Sequence, residues 1–376
     1  RLIVLTLVAV AAIYGWWSMK HVALDAIPDL SDTQVIIYSR WDRSPDIIED
    51  QVTYPIVAAM LGAPGVRAVR GFSDFGYSFV YVIFDDGTDI YWARTRTLEY
   101  LSGVLQSLPE GCKTELGPDA TGLGWVFQYV LEDTSGNHTL ADLRSLQDWY
   151  LRYHLRSVPG VAEVAPIGGF GKQYQVSLDP NRLLFYDIPI NDVVDAIRGS
   201  NSETGGRLIE LGGAEYMVRG RGYARSLEDL ESVVVAASRN GTPIRVKDIG
   251  RVALGPDIRR GVADLDGTGD VVSGIIVMRQ GENALDVIGR VKEKIRQIEP
   301  GLPPGVRVVP IYDRSELIHN SINTLRNTVI EVIVTVSLIV LLFLWHIPSA
   351  LIPMITIPIA VLIAFIPFRG MGITAN

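Results

Sequence analysis

The chain has 376 residues, of which 48% are hydrophobic and 20% are charged, with a formal net charge of −8. This apolar share is high for a protein that lies wholly in water, and the charged share excludes a bundle that lies wholly in lipid, so the two kinds of sequence must be segregated. The negative balance argues against nucleic acid or an anionic lipid as a partner, because either partner requires a basic face.

The first predicted element is a transmembrane helix over residues 1–20. Its sequence carries no charge from Leu2 to Met19. An apolar run of that length crosses the hydrocarbon of a bilayer. Trp16 and Trp17 stand near its end, where indole rings favour the headgroup region. A signal peptide is the alternative, but the run is too long for one and no small-residue cleavage site follows it.

The next segment, residues 30–121, is predicted to have the element order βαββαβ. β-branched residues indicate a strand over Thr33–Arg40, and a Ser-Pro-Asp start with helical apolar spacing indicates a helix over Ser44–Leu61. Two strands around a turn at 74–76, a second helix and a short strand complete the set. This is the ferredoxin-like unit, in which two helices cover one face of a four-stranded sheet.

The same order recurs, which predicts a second unit over residues 122–178 and 258–313. "AEVAPIGG" and "KQYQVSLD" are expected to form a strand pair within it. Its closing elements come only after an insertion over 179–257. Within that insertion, the glycine-rich segment from Asn201 to Gly222 is predicted to be an extended hairpin rather than a surface loop, because its residues alternate in polarity.

Two further transmembrane helices are predicted over residues 328–346 and 347–368. The later one contains four prolines and no charge. Prolines are tolerated in a spanning helix when neighbouring helices satisfy the freed carbonyls, which indicates a packed bundle. Residues 369–376 are expected to begin a further segment. Since the sequence also opens on Arg1, we expect a fragment.

Catalytic motifs are missing, and an enzyme is therefore not expected. The sequence has no HExxH pair, and Cys112 is its single cysteine. "GFSDF" lacks the second glycine of a nucleophile elbow. "DLDGTGD", residues 264–270, begins like a calcium loop but lacks the glutamate at position twelve, which favours a hairpin turn.

A helix, a large domain with two ferredoxin-like units, and two closely spaced helices form a layout that resembles the resistance-nodulation-division (RND) transporters. Several stretches are similar to the heavy-metal efflux branch of that family, and within it to the inner-membrane component of the copper/silver pumps. The resemblance extends over the whole chain and matches the N-terminal part of such a pump. The matching stretches are "DAIPDLSDTQV", "QVTYP", "VRGFSDFG", "VYVIFDDGTDIYWAR", "LGPDATGLGW", "ADLRSLQDWY" and "AEYMVR".

The resemblance implies an α+β membrane protein with tandem ferredoxin-like porter subdomains in the periplasm and a docking-domain insertion. It implies a secondary active transporter of the bacterial inner membrane, which exchanges Cu(I) or Ag(I) for protons and needs no cofactor. The implied partners are the lipid bilayer, two further copies in a homotrimer, a membrane-fusion adaptor and an outer-membrane channel. The hairpin would be the arm that contacts a neighbouring protomer, through Asn201, Gly205, Gly206 and Met217.

The candidate residues for the substrate path follow partly from this resemblance. Asp25, Asp29 and Asp32 would lie at the mouth of a cation path. Arg70 would line the periplasmic cleft and act on cations through its charge; alternatively, it is a strand-end arginine paired to a carboxylate such as Asp74. Thioethers are soft ligands suited to Cu(I) and Ag(I).

Among the methionines, Met354 and Met371 lie in or near the third span, where a methionine relay is conceivable. No set of metal ligands is identified in the sequence. Two other functions stay open. One is an RND pump for divalent Zn, Co or Cd or for organic compounds. The other is a membrane-anchored periplasmic sensor or assembly protein.

Overall fold

The computed structural model describes residues 2–22, 25, 27–220, 222–238, 240–259 and 261–371. The expected start of a new segment at 369–376 therefore falls mostly outside the described residues. The strands are β1 (Gln34–Arg40), β2 (Val66–Asp74), β3 (Tyr77–Phe84), β4 (Lys113–Leu116), β5 (Trp125–Asp133), β6 (Val161–Ile167), β7 (Lys172–Leu178), β8 (Thr204–Leu211), β9 (Ala214–Gly220), β10 (Val234–Ala237), β11 (Pro243–Arg245), β12 (Gly250–Pro256), β13 (Val272–Met278) and β14 (Val306–Asp313).

The helices belong to the membrane-spanning and the water-soluble parts of the chain. They are α1 (Leu2–His21), α2 (Pro45–Ile48), α3 (Tyr54–Met60), α4 (Ile90–Leu105), α5 (Leu140–Leu146), α6 (Arg152–Arg156), α7 (Pro180–Tyr186), α8 (Ile190–Ser200), α9 (Leu227–Glu231), α10 (Val246–Ile249), α11 (Ala284–Ile298), α12 (Arg314–Leu344) and α13 (Ile347–Gly370). π-Helical turns over Glu49–Thr53 and Gln147–Leu151 join α2 to α3 and α5 to α6, and a 3-10 turn over Glu299–Gly301 follows α11.

The chain divides into two compact units. One contains residues 1–137, 146–167 and 271–376, and the other contains 138–145 and 168–270. We call them the large unit and the insertion unit, and describe each by itself.

The large unit contains a first antiparallel sheet with the strand order β2-β3-β1-β4. Alternate residues of β1, among them Val35 and Ile37, are buried toward one face, as the period of two along a strand requires. Ile48, Val52 and Ile56 of the first helical segment join them in one hydrophobic core. The apolar residues of the helical segment and those of β1 therefore pack together on one face of the sheet.

A second antiparallel sheet of the large unit has the order β14-β5-β13-β6. When the strands of each sheet are numbered along the chain, both sheets have the same order. All seven residues of β13 are buried. The apolar stripe of α11, which includes Val287, Val291 and Ile295, is buried as well.

The predicted pairing of "AEVAPIGG" with "KQYQVSLD" is wrong. β6 pairs with β13, and β7 pairs with β12 in a separate ribbon of the insertion unit. Gly168 and Gly169 follow β6 with φ values of 75° and 61°, a left-handed conformation that turns the chain away. The compact insertion accordingly covers 168–270 instead of the expected 179–257.

The predicted hairpin between Asn201 and Gly222 is confirmed for the described residues. β8 and β9 pair antiparallel. Gly212 and Gly213 form the tip with φ values of 63° and 80°, which suit glycine in a tight hairpin turn. The core of the insertion unit is small and includes Leu183, Val193 and Ile249.

Three helices, α1, α12 and α13, are long and apolar enough to cross a membrane. α12 begins well before the predicted start of the second span at 328. Its first turns are polar, "RSELIHNSINTLRN", and only its later part is apolar. Hydropathy therefore detected the membrane-spanning part of a helix that starts directly at the end of β14.

Candidate functional site

The junction between β14 and α12 places an arginine inside the large unit. Asp313 ends β14 and caps α12, because its carboxylate accepts a hydrogen bond from the Ser315 N–H at 3.0 Å. Arg314 then begins the helix with only 3% of its side chain exposed, and its Nη1 donates to Asp25 Oδ2 at 3.1 Å. The segment that leaves α1 is therefore tied to the first turn of α12.

Asp313 is held from a second side. Lys292 of α11 forms an ion pair with its carboxylate, and the Ser315 hydroxyl donates to it at 2.6 Å. Burial raises the pKa of Asp313, but the hydrogen bonds from Lys292 and Ser315 outweigh it, so the pKa lies below its ordinary value. The carboxylate is therefore charged at neutral pH and anchors α11 to the start of α12.

The other two aspartates of the acidic stretch also have partners. Asp29 accepts hydrogen bonds from the Thr121 hydroxyl at 2.6 Å and from the Ser31 N–H at 3.0 Å. Burial raises the pKa of Asp29, yet these hydrogen bonds and the charge of Arg314 lower it below its ordinary value. Asp32 forms an ion pair with Arg67 at 2.5 Å.

These contacts show that Asp25, Asp29 and Asp32 tie the segment after α1 to the large unit. They do not test whether the same carboxylates attract cations, which stays a prediction. Arg67, Thr121 and Arg314 were missed by sequence reasoning. No local sequence pattern distinguishes these three residues from ordinary surface residues, because they are a strand arginine, a loop threonine and an arginine at the start of a helix.

Arg70 lies exposed on β2, which is an edge strand, in register with Tyr81 of β3. The alternative pairing with Asp74 does not form. Asp74 lies four residues along the same strand, and its carboxylate accepts the Phe75 N–H at 2.7 Å. Within the described residues Arg70 has no ion pair, so its charge faces the surroundings. Its role in a cleft stays a prediction.

Met354 and Met371 do not form a common site. Both are exposed, and both lie on α13 or at its C-terminal cap. Their separation along the helix is about 25 Å, from a rise of about 1.5 Å per residue, so one metal ion cannot contact both. The parts of the chain that the structure describes contain no group of three or more His, Cys, Asp or Glu side chains suited to a metal.

The four predicted arm residues lie in or beside the β8–β9 hairpin. Asn201 caps α8, and its side-chain oxygen accepts the Ala224 N–H at 2.9 Å. Gly206 is required by packing, because a Cβ there would lie 2.5 Å from the Val218 carbonyl oxygen. Gly205 has open space around it, and Met217 is 81% exposed. The hairpin thus presents apolar side chains, while a contact with another protomer stays a prediction.

In the membrane-spanning part, α1 and α13 approach closely at Gly15. A Cβ on Gly15 would lie 2.4 Å from the Leu362 carbonyl oxygen, and Gly15 and Ser18 are the buried residues of α1. Small residues allow such an approach between spanning helices. Near the C-terminal ends of the same two helices, Arg369 lies over the Trp17 ring at 3.8 Å. The two helices therefore run in the same direction.

Comparisons with known proteins agree with this architecture. The model of the AcrB/AcrD/AcrF family matches residues 1–376. The cation efflux system protein CusA of Escherichia coli K12 is 49% identical over 100% of this chain and 36% of its own length. The putative cation efflux system protein SilA of Salmonella typhimurium is 48% identical over 97% of this chain and 35% of its own length.

A solved structure is similar over the entire chain. The crystal structure of a heavy metal efflux pump superposes with a TM-score of 0.90 at 36% identity, and covers 100% of this chain and 37% of that one. The chain thus spans about a third of the length of its relatives. It belongs to the AcrB/AcrD/AcrF family of inner-membrane RND transporters, within the heavy-metal efflux branch.

Proposed function

We propose that this chain is part of a proton-driven pump that exports Cu(I) and Ag(I) across the inner membrane. The observation that carries the proposal is that the sequence identity to CusA and SilA is higher than the sequence identity to CzcA. The cation efflux proteins CusA and SilA are 49% and 48% identical to this chain. The cobalt-zinc-cadmium resistance protein CzcA of Cupriavidus metallidurans is 38% identical over the same full chain.

In this proposal the two sheets of the large unit are the first two porter subdomains, each with a ferredoxin-like fold. Their common strand order supports this assignment. The insertion unit is part of the docking domain, and its hairpin reaches a neighbouring protomer of a homotrimer. A membrane-fusion adaptor and an outer-membrane channel complete the assembly. The two sheets of the large unit and the insertion unit face the periplasm.

The residues of this chain contribute position and charge to the transport cycle. Asp313, at the end of β14, and the ion pair of Arg314 with Asp25 fix the start of α12 relative to the second sheet. A shift of this membrane helix therefore moves the sheet. Arg70 acts on passing cations through its charge. Proton exchange needs carboxylates at membrane depth. α1 and α13 contain no Asp or Glu, and the carboxylate of Glu331 in α12 lies at the start of the apolar run of that helix.

The metal is tested by expressing the full-length protein in a strain that lacks its own copper and silver efflux. We expect growth in silver and copper to be restored, with no gain in zinc or cobalt. A strain that carries the empty vector and one that expresses residues 1–376 alone are the controls, and both should stay silver-sensitive. Protection against zinc without protection against silver would contradict the Cu(I)/Ag(I) assignment.

Proton coupling is tested separately with everted membrane vesicles. Silver uptake into vesicles that contain the full-length protein should follow an imposed proton gradient and stop when an uncoupler removes it. Uptake that persists after the uncoupler and requires ATP would exclude a secondary active transporter.

A pump for divalent cations is the second candidate. It rests on one observation, the match of CzcA over the whole chain at 38% identity, which is lower than the identity to CusA and SilA. The same growth assay distinguishes the two candidate pumps, because it compares resistance to zinc with resistance to silver. Imidazole and carboxylate ligands favour zinc, whereas thioethers favour Cu(I) and Ag(I). A sensor or assembly protein is not favoured, since the full chain matches a transporter family.

A further inference from the structure

The ends of α1 and α13 that carry Trp17 and Arg369 concentrate cationic and aromatic side chains. The Arg369 guanidinium lies 3.8 Å from the centre of the Trp17 ring, and the His21 ring lies 4.7 Å from it. His21 Nδ1 donates to the Trp17 carbonyl oxygen at 2.8 Å, so its Nε2 stays open to another partner. One indole therefore contacts both an arginine and a histidine.

None of these basic groups has a carboxylate partner among the described residues. Arg369 Nη1 is buried without an acceptor, and no described residue forms a hydrogen bond or an ion pair with the rest of its guanidinium. The arginine is partly exposed, so its other N–H groups remain accessible. A charged donor without an acceptor is costly at the edge of a low-dielectric medium. Among the described residues, the cluster therefore has no anionic partner.

The position of the cluster identifies the kind of anion. Trp17 is 41% exposed at the end of a helix that crosses the membrane, where indole rings lie at headgroup level. A guanidinium binds phosphate oxygens through two parallel hydrogen bonds. Acyl chains beside the exposed apolar surface of α1 would keep such a phosphate at this depth. A soluble anion has no such apolar contact.

We propose that Trp17, His21 and Arg369 form a binding site for the phosphate of an anionic phospholipid, such as phosphatidylglycerol. The lipid phosphate supplies acceptors for the accessible N–H groups of Arg369 and holds the ends of α1 and α13 together. The proposal requires that α1 and α13 cross the bilayer, and it does not depend on which metal is exported.

The test is native mass spectrometry of the full-length protein in detergent, titrated with dimyristoyl phosphatidylglycerol. We expect Arg369→Gln to weaken the tightest lipid-binding step about fivefold, as for the loss of one arginine near a membrane surface. Arg326→Gln is the matched control. Arg326 lies just before the apolar part of α12 and has no cation–π contact with a described aromatic ring, so its loss should leave that step unchanged.

Two further arms identify the source of the phosphate. Dimyristoyl phosphatidylcholine should bind more weakly than phosphatidylglycerol, and inorganic phosphate should not displace the bound lipid. If Arg369→Gln does not fold, Trp17→Leu tests the same site by removing the ring that contacts both Arg369 and His21. Equal lipid affinity in the variant that folds and in the parent would overturn the proposal. Displacement by inorganic phosphate would do so as well.

Discussion

Arg314 and Asp25 form an ion pair at 3.1 Å between residues that are 289 positions apart in the sequence. Arg314 is 3% exposed, and its Nε is buried without a partner. The pair connects the segment that leaves the first membrane helix to the start of the second. Because the arginine cannot reach water, Asp25 supplies the charge that makes its burial tolerable.

We predict that Asp25→Ala destabilises the protein by about 3 kcal/mol, because it leaves a buried guanidinium unpaired. Asp32→Ala should cost less than about 1 kcal/mol, since the Asp32–Arg67 pair is 43% exposed on each side. Thermal unfolding of the detergent-solubilised full-length protein measures both variants. The double variant Asp25→Leu, Arg314→Met should regain much of the loss, and equal effects of the two single variants would contradict this account.

The lowered pKa of Asp313 predicts a loss of stability in acid. Its folded-state pKa lies below its ordinary value of 3.8, so the stabilisation is present above that value and is lost as pH falls through the folded pKa. Lys292→Met removes a main cause of the lowering and so raises the folded-state pKa, which means that acid should remove less stabilisation than in the parent and that the loss should be complete at a higher pH. Unfolding measured between about pH 5 and pH 2 checks the shift. Lys294→Met on the same helix is the control, and an identical shift in both variants would contradict the assignment.

Gly15 is predicted to be indispensable for the packing of α1 on α13. Gly15→Leu places a side chain against the Leu362 backbone, where even a Cβ would be 2.4 Å from the carbonyl oxygen. We expect a lower melting temperature and a lower yield of folded protein. Ala9→Leu, at an exposed position of α1, adds the same side chain and should have little effect. Normal stability of Gly15→Leu would show that the two helices do not approach at this point.

The topology predicts that residues between α1 and α12 lie outside the inner membrane. In a Cys112→Ser background, Ser135→Cys in the exposed turn after β5 should react with an impermeant maleimide in intact spheroplasts. His346→Cys, between α12 and α13, should react only after lysis. The reverse pattern of labelling would place the residues between α1 and α12 in the cytoplasm.

The acidic stretch is expected to affect the rate of transport and not the choice of metal. Asp29→Asn with Asp32→Asn removes two charges whose attraction is screened over roughly 8 Å at physiological salt. Arg70→Ala removes an exposed charge and should alter the rate at little cost in stability. Silver and zinc resistance of the full-length variants, compared at equal expression, decides this. A switch of preference toward zinc would contradict the expectation.

The sequence by itself determined the elements whose signal is local. The uncharged runs of α1 and α13 predict membrane spans, because hydrocarbon excludes charge over a length that the sequence shows directly. The alternation in β1 and the Ser-Pro-Asp start before α2 predict a strand and a helix for the same kind of reason. Similar stretches along the chain identified the family before any contact was known.

Only the tertiary structure decided which elements and charges meet. The local pattern of β7 is that of a strand whether it pairs with β6 or with β12, and two glycines with positive φ after β6 direct it to β12. Likewise, Asp25 has the same local sequence whether it faces open water or the buried Arg314. Pairing between residues that are hundreds of positions apart depends on how the whole chain packs. The sequence around either residue contains no periodic pattern that indicates its partner.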